Sequence, residues 1–581
     1  MLKFSDYISD MPDCPHQNFA QLVEQVANDH GDRDAILHRT SGQKEFTRWT
    51  YLRFANECKR IAHGLLAAGL EKGDRVVLWS ENRPEWMAVW MGTAIAGASI
   101  VPVDFLITEK ECLNIMKITR AKAFFYSKSK KDFSASLASE GLGLVANVCI
   151  NPEEGDGDGE YYSFGKGASA KALPSPDSIS GDFPVSIVFT SGTTGVAKGV
   201  TLSHKSIIAN ASAAIRILEP VSTDVFLDVL PLHHTYSTTA CFIAPILVGI
   251  PTVIVEKTLG DVIRADARDA GVTFFIGVPL LFDKFMAGAE KKITGIKKFL
   301  LNSPRKKALA EAKAGRPAFG QNHSLLKKVR AKFDLASVRM MVAGGGPLNP
   351  ATADFFDSLG FNIVQGYGMS ENAPLISVNT PKHKRNESVG LPVIHTKVKI
   401  FEPNAEGIGE IACTSPSVMI GYFENKEATD EVIKVIDGER WLFTGDLGKI
   451  DSDGFIHIMG RKKNLIVTSA GKNIYPEEIE VLFSSRIISE ILVVGRKEKD
   501  GSGEIIYAVV VPNYDNIKED FPGKENDEVF IRSEVKKLVE NANRSLPIYK
   551  KIGDFTLRKE QFEKNAQQKI KRFLYKDYEN A

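Results

Sequence analysis

The chain has 581 residues, of which 43% are hydrophobic and 25% charged, and its 73 Lys plus Arg balance 72 Asp plus Glu. These proportions are those of a globular protein and exclude wholesale disorder. The balanced charge also excludes a global field that would draw the chain to nucleic acid or to an anionic membrane. One hydrophobic core does not grow to this length, so roughly three or four core-sized units are expected.

In chain order, the opening residues MLKFSDYISDMPDCPHQ place acidic residues and prolines where a secretory signal needs an apolar core, so secretion is not expected. Between Tyr51 and Val103 a helical apolar period over residues 54–70 alternates with β-rich runs at 74–80 and 99–104, with a second helix around 86–96. That succession predicts βαβ units in a parallel sheet. Residues 151–183, rich in Gly, Ser, Pro and Asp, read as a surface linker, and PVSIVFT after them as a buried strand.

The most apolar stretch, Ala240–Val255, is shorter than the ~20 residues that span a bilayer. Pro245, Gly249 and Pro251 break it, and it reads as a buried helix end running into a core strand. Further α/β alternation runs through 221–232, 252–257, 272–279 and 338–345, and after residue 375 the pieces shorten to β-like runs such as KVKIFE and GEIACT. Past Gly460 two strands flank the turn Asp500–Gly503 and a helix follows from Glu528. The expected architecture is α/β: a large N-terminal domain, residues 1–462, of two α/β subdomains plus a β subdomain, and a small α+β domain at 463–581. The six cysteines, Cys14, Cys58, Cys112, Cys149, Cys241 and Cys413, lack CxxC or zinc-ligand spacing, which fits a reducing compartment and a cytoplasmic location.

The sharpest motif is Thr190-Ser191-Gly192-Thr193-Thr194-Gly195-Val196-Ala197-Lys198-Gly199, directly after PVSIVFT. Glycines free the backbone to wrap an anion, hydroxyls and amides donate to phosphate oxygens, and Lys198 supplies charge. GxxxxGK[ST] cannot be aligned to it, so it is a phosphate cradle of another kind than a Walker A loop.

At this string the chain resembles the adenylate-forming superfamily of acyl-CoA synthetases, peptide-synthetase adenylation domains and firefly-type luciferases, with Ala197 where that family usually has proline. The resemblance continues through LEKGDRVVLWSENRPEW, GASIVPVD, LPLHHTY, VAGGGPL, QGYGMSE, GEIACTSPSVMIGYFENKEATDEV, WLFTGDLG, GRKKNLIVTSAGKNIYPEEIE and QKIKR, in family order and spacing. It is nearest to long-chain fatty acyl-CoA synthetases.

The resemblance implies ATP, Mg²⁺ and coenzyme A as cofactors or co-substrates. Attack of a carboxylate on the α-phosphorus needs negative charge neutralised on both sides. By resemblance, Thr190 to Lys198 hold the β and γ phosphates, Glu371 ligates Mg²⁺, and the Ser370 hydroxyl reaches the α-phosphate. Tyr367 stacks on adenine beside the backbone of Gly345 and Gly346, Asp446 takes the ribose hydroxyls, and Arg461 assists. His234 lies at the acyl and α-phosphate corner, although His233-His234 also reads as an ordinary buried pair. Lys569 bridges carboxylate and α-phosphate; Gln568 departs from the usual glycine, which leaves Lys571 as the other register. Lys463 matches the hinge on which the C-terminal domain is mobile, and Gly471 faces the pantetheine tunnel after the swing.

Residues 284–332 carry 14 Lys or Arg against two Glu at helical apolar spacing. A basic amphipathic segment of this kind lies on an anionic membrane surface or is a solvated charged helix. The expected substrate is a medium- or long-chain fatty acid. An acyl carrier protein is the alternative acceptor to coenzyme A, and a non-catalytic nucleotide- or acyl-binding regulator is the third reading.

Overall fold

The structure is a computed structural model that describes residues 16–40, 42–151, 160–168, 172–190, 197–291, 293, 295–468, 472–483, 485–497, 504–564 and 570–575. Strands that are apolar on both faces must be covered on both faces, and this drives them into layered α/β bodies. Val76, Val77, Leu78 and Trp79 are fully buried in the strand Arg75–Trp79, which pairs in parallel with Ser99–Pro102 and Ala123–Tyr126. The helix Pro84–Ile95, opened by proline at its first turn, is buried on every side. These strands belong to a seven-stranded sheet that continues through the antiparallel hairpin Pro184–Thr190 to Lys198–Ser203 to the edge strand Gly421–Tyr422, with Thr190 opposite Lys198 and Tyr422 opposite Val200.

A nine-stranded sheet forms the second body. It is parallel through Asp34–His38, Thr252–Ile254, Phe226–Asp228, Phe274–Gly277, Met340–Ala343 and Ile363–Gly368, with antiparallel strands at both edges. The apolar stretch from Ala240 runs through the π-helical turn Thr238–Ile243 and the helix Ala244–Leu247 into the strand Thr252–Ile254. No helix among the described residues is long and apolar enough to cross a membrane. A five-stranded antiparallel sheet follows, in which Glu439–Ile450 pairs with Ile456–Arg461.

After the 3₁₀ turn Lys462–Asn464, the helix Glu528–Ser545 packs on a three-stranded sheet. Ile466, Ile474, Val493, Ala508, Val510 and Val535 give this C-terminal part its own core. The architecture is mixed α/β, with large N-terminal and smaller C-terminal domains.

The basic segment folds as helices Pro279–Glu290, Gly295–Lys313, Ala318–Asn322 and Ser324–Ala331. Much of its charge is spent on the fold. Lys291 pairs with Glu519 at 2.7 Å, Lys313 with Asp354 at 2.7 Å, and Arg305 donates to Ser358 at 3.0 Å. Buried Arg330 donates to the carbonyls of Gly320, Gln321 and Leu359. Phe299 and Leu300 are 81% and 60% exposed, on the same helix as exposed Lys306.

Candidate active site

In an open α/β sheet, ligands bind beyond the carboxyl ends of the strands. Three strands of the nine-stranded sheet deliver the motif loops there: Phe226–Asp228 leads to the histidine pair, Met340–Ala343 to Gly345 and Gly346, and Ile363–Gly368 to Ser370 and Glu371, with Phe274–Gly277 between the first two. Gly345 has φ +81°, a left-handed conformation suited to glycine. A Cβ on Gly344 would stand 2.7 Å from the Tyr236 ring.

Tyr367, at the end of its strand, donates its hydroxyl to Asp446 Oδ2 at 2.6 Å. Asp446 and Arg461 are direct cross-strand partners, with Arg461 Nε 2.7 Å from Asp446 Oδ1. Asp446 is further set by its backbone amide donating to Thr444 Oγ1 at 3.1 Å. Burial, and after it the Asp446 carboxylate, push the Tyr367 hydroxyl well above its usual range, so it stays a donor. Burial opposes the Arg461 charge, yet Asp446, Tyr367, Glu371 and Glu477 together raise its pKa. A carboxylate has about four acceptor sites, so Asp446 retains capacity for a further donor such as a ribose hydroxyl.

Glu371 lies in the short turn Ser370–Asn372, which three elements hold in place. Asn210 donates to the Asn372 carbonyl at 3.0 Å, Ser415 donates to Asn372 Oδ1 at 2.7 Å, and Thr239 donates to the Ala373 carbonyl at 2.9 Å. Ser370 beside it is half-buried. The Glu371 carboxylate accepts the Tyr422 hydroxyl at 2.8 Å, and Lys198 Nζ sits 5.1 Å from the centre of the Tyr422 ring. Burial, then Glu371, push the Tyr422 hydroxyl far above the usual phenol range. Lys198 is also 3.8 Å from Glu431. Thr190 closes the strand end by donating to the Lys198 carbonyl at 3.4 Å.

Hard dications take oxygen ligands, and Mg²⁺ is commonly held by one or two carboxylates completed by substrate phosphates and water. Glu371 is such a carboxylate, and no group of three or more His, Cys, Asp or Glu suited to a metal exists among the described residues. The donor set therefore fits a metal shared between Glu371 and a phosphate substrate.

His234 caps the turn Thr235–Ser237 and its ring is 4.0 Å from that of His233. His233 is buried, which together with His234 holds its pKa well below the usual value, and its Nε2 is 3.7 Å from Asp104 Oδ2. The loop carrying both is clamped by two residues to which the sequence assigned no role. Asp228 accepts from Ser237 at 2.9 Å, from the Leu230 amide at 3.2 Å and from Asn82 at 3.1 Å. Asn82 in turn donates to the Leu230 carbonyl at 2.6 Å and accepts from the Leu232 amide at 2.8 Å. Asp228 is fully buried, and that burial pushes its carboxyl up to about 7.

Ser191, Gly192, Thr193, Thr194, Gly195, Gly471 and Lys569 lie outside the described residues. Lys571 is described, paired with Glu563 at 3.4 Å. The Thr108 amide and hydroxyl hold the Glu111 carboxyl below its usual range, and the charge of Lys571 adds to them. Lys571 thus lies within electrostatic reach of Glu111 in the helix Glu109–Thr119. Tyr422 was visible in sequence only as part of MIGYFENKEATDEV; nothing in the string says which carboxylate and which lysine it joins.

Strand ends that gather a phosphate-loop lysine, a metal-suited carboxylate and a tyrosine–aspartate–arginine cluster define a nucleotide-handling α/β enzyme class. The chain belongs to the AMP-binding enzyme family, whose profile matches residues 23–423. A long-chain-fatty-acid–CoA ligase ACSBG2 of Xenopus laevis is 28% identical over 84% of this chain and 69% of its own length. A feruloyl-CoA synthase of Amycolatopsis sp is also 28% identical, over 82% of this chain and 86% of its own. The fold matches that of ATP-bound MatB from Rhodopseudomonas palustris with a TM-score of 0.75 at 23% identity, covering 96% of this chain and 98% of that one.

Proposed function

We propose that this protein is an AMP-forming acid–thiol ligase that activates a medium- or long-chain fatty acid as the acyl-adenylate and transfers it to coenzyme A. The observation that carries the reading is the convergence of Lys198, Glu371, Asp446 and Arg461 around Tyr367 and Tyr422, on family membership that covers most of the chain. In this reading the acid's carboxylate oxygen attacks the α-phosphorus of ATP and the bond to pyrophosphate breaks. Lys198 neutralises charge on the departing pyrophosphate, and Glu371 holds Mg²⁺, which screens phosphate charge when bound. Ser370 contacts the α-phosphate and Tyr367 lies against adenine, while Asp446 takes the ribose hydroxyls with Arg461 holding its carboxylate. His234 orients the acyl carboxylate, and Lys569 supplies the cation between it and the α-phosphate. A swing about Lys463 then brings Gly471 to the thiol, whose sulfur displaces AMP from the acyl carbon.

The long-chain acid draws support from the ACSBG2 relative and from exposed Phe299 and Leu300 on the helix that also carries exposed Lys306, a feature suited to peripheral contact with anionic lipid. Purified protein with ATP, Mg²⁺ and a panel of acids from acetate to oleate and ferulate tests it, by AMP release with and without coenzyme A. Acyl-CoA formed with octanoate to oleate is expected. Preference for acetate or ferulate overturns the acid, and transfer to acyl carrier protein alone overturns the thiol. In the same preparation, Phe299→Glu should weaken sedimentation with phosphatidylglycerol vesicles; equal binding by both proteins removes the lipid contact.

A further inference from the structure

Lys198 and Glu371 come from different sheets, and one side chain touches both. The Tyr422 hydroxyl donates to Glu371 Oε1 at 2.8 Å, while its ring lies 5.1 Å below the Lys198 ammonium. The backbone of Tyr422 is fixed apart from its own side-chain contacts: it pairs with Val200 in the strand that begins at Lys198, and its amide donates to Thr429 Oγ1 at 2.9 Å. The turn that carries Glu371 is itself pinned, since the Met419 amide, three residues before Tyr422, donates to the Glu371 carbonyl at 2.8 Å. Tyr422, on the edge strand of one sheet, is therefore a rigid strut between the hairpin that carries Lys198 and the loop at the end of a strand of the other sheet.

We propose that Tyr422 is a positioning residue for adenylation, one that aims the Glu371 carboxylate at the metal with its hydroxyl and holds the Lys198 ammonium over the pyrophosphate path with its ring. The assignment rests on the ligase reading above. Carboxylates that bind metals are themselves oriented by hydrogen bonds, and losing such a partner typically weakens metal binding or activity by ~10–100-fold. An ammonium within ~6 Å of an aromatic centroid is held by the ring's face. The two halves of the role are separable because Phe keeps the ring and loses the hydroxyl, whereas Leu loses both.

The full chain is the test material. Binding of Mn²⁺, as a stand-in for Mg²⁺, is followed by electron paramagnetic resonance with a non-hydrolysable ATP analogue present, and the analogue's affinity at saturating metal is measured by calorimetry. Tyr422→Phe should bind Mn²⁺ ~10–100-fold more weakly and need correspondingly more Mg²⁺ for half-maximal AMP release, with analogue affinity unchanged. Tyr422→Leu should lose analogue affinity as well. Wild-type Mn²⁺ affinity in Tyr422→Phe overturns the proposal, as does equal analogue affinity in both variants. If Tyr422→Leu melts at room temperature, Tyr422→Phe alone decides, since it preserves the packing. The binding measurements need neither acid nor turnover, so they judge Tyr422 even where wild-type protein releases AMP with no acid, which would be a failure of the ligase reading.

Discussion

Asp446 and Arg461 stand opposite each other on antiparallel strands at 2.7 Å, and the same carboxylate accepts the Tyr367 hydroxyl on its other oxygen. One carboxylate thereby ties the strand end that carries Glu371 to the strand that leads into the C-terminal part. Asp446→Asn should raise the KM for ATP by ~10–100-fold, the range for hydrogen bonds to a charged group, while the KM for the acid changes little. Steady-state kinetics with each substrate varied checks this; equal rises in both KM values would point to a general loosening of the site.

Glu371→Gln and Lys198→Ala should each slow adenylation by about 10²-fold or more, as loss of preorganised charge stabilisation typically does. Pyrophosphate exchange isolates this step. Near-normal exchange in both variants would place the phosphate site elsewhere.

Lys569→Ala and Lys463→Pro should fail at different steps. Lys569 acts when the carboxylate attacks, so its loss should suppress acyl-adenylate formation yet leave conversion of supplied acyl-adenylate to thioester intact. Proline at 463 fixes φ near −65° and should slow the thioester step alone. Equal loss of both half-reactions in both folded variants would refute the division, and a silent Lys569→Ala beside an inactive Lys571→Ala would move only the register.

Asp228 makes stability depend on pH. Its carboxyl titrates at about 7 in the folded state, against ~3.9 for an unperturbed Asp, so the folded state holds the proton more tightly. The stability this contributes is complete below about pH 4 and is lost as pH rises through 7. Chemical melts of wild type from pH 5 to 8 should therefore decline relative to Asp228→Asn, whose side chain does not titrate. Parallel curves would mean that Asp228 is ionised throughout.

The motif series was legible in the string because each piece has a local reason to exist. TSGTTGVAKG needs glycines and hydroxyls wherever it lies, and Val76–Trp79 or Pro84–Ile95 announce buried elements by their own apolar pattern. Family, α/β class and the order of elements follow from such local signals. The pairings are another matter. That Asp446 accepts from Tyr367, that Tyr422 joins Glu371 to Lys198, and that Asp228 and Asn82 clamp the loop of His233 and His234 depend on contacts between chain segments far apart in sequence. The basic run at 284–332 shows the same limit: its composition suggested one charged face, but Lys291, Arg305, Lys313 and Arg330 are committed to partners that only the packed fold brings within reach. Local propensity and periodicity are written residue by residue, whereas a hydrogen bond between distant residues is decided by strand register and sheet packing.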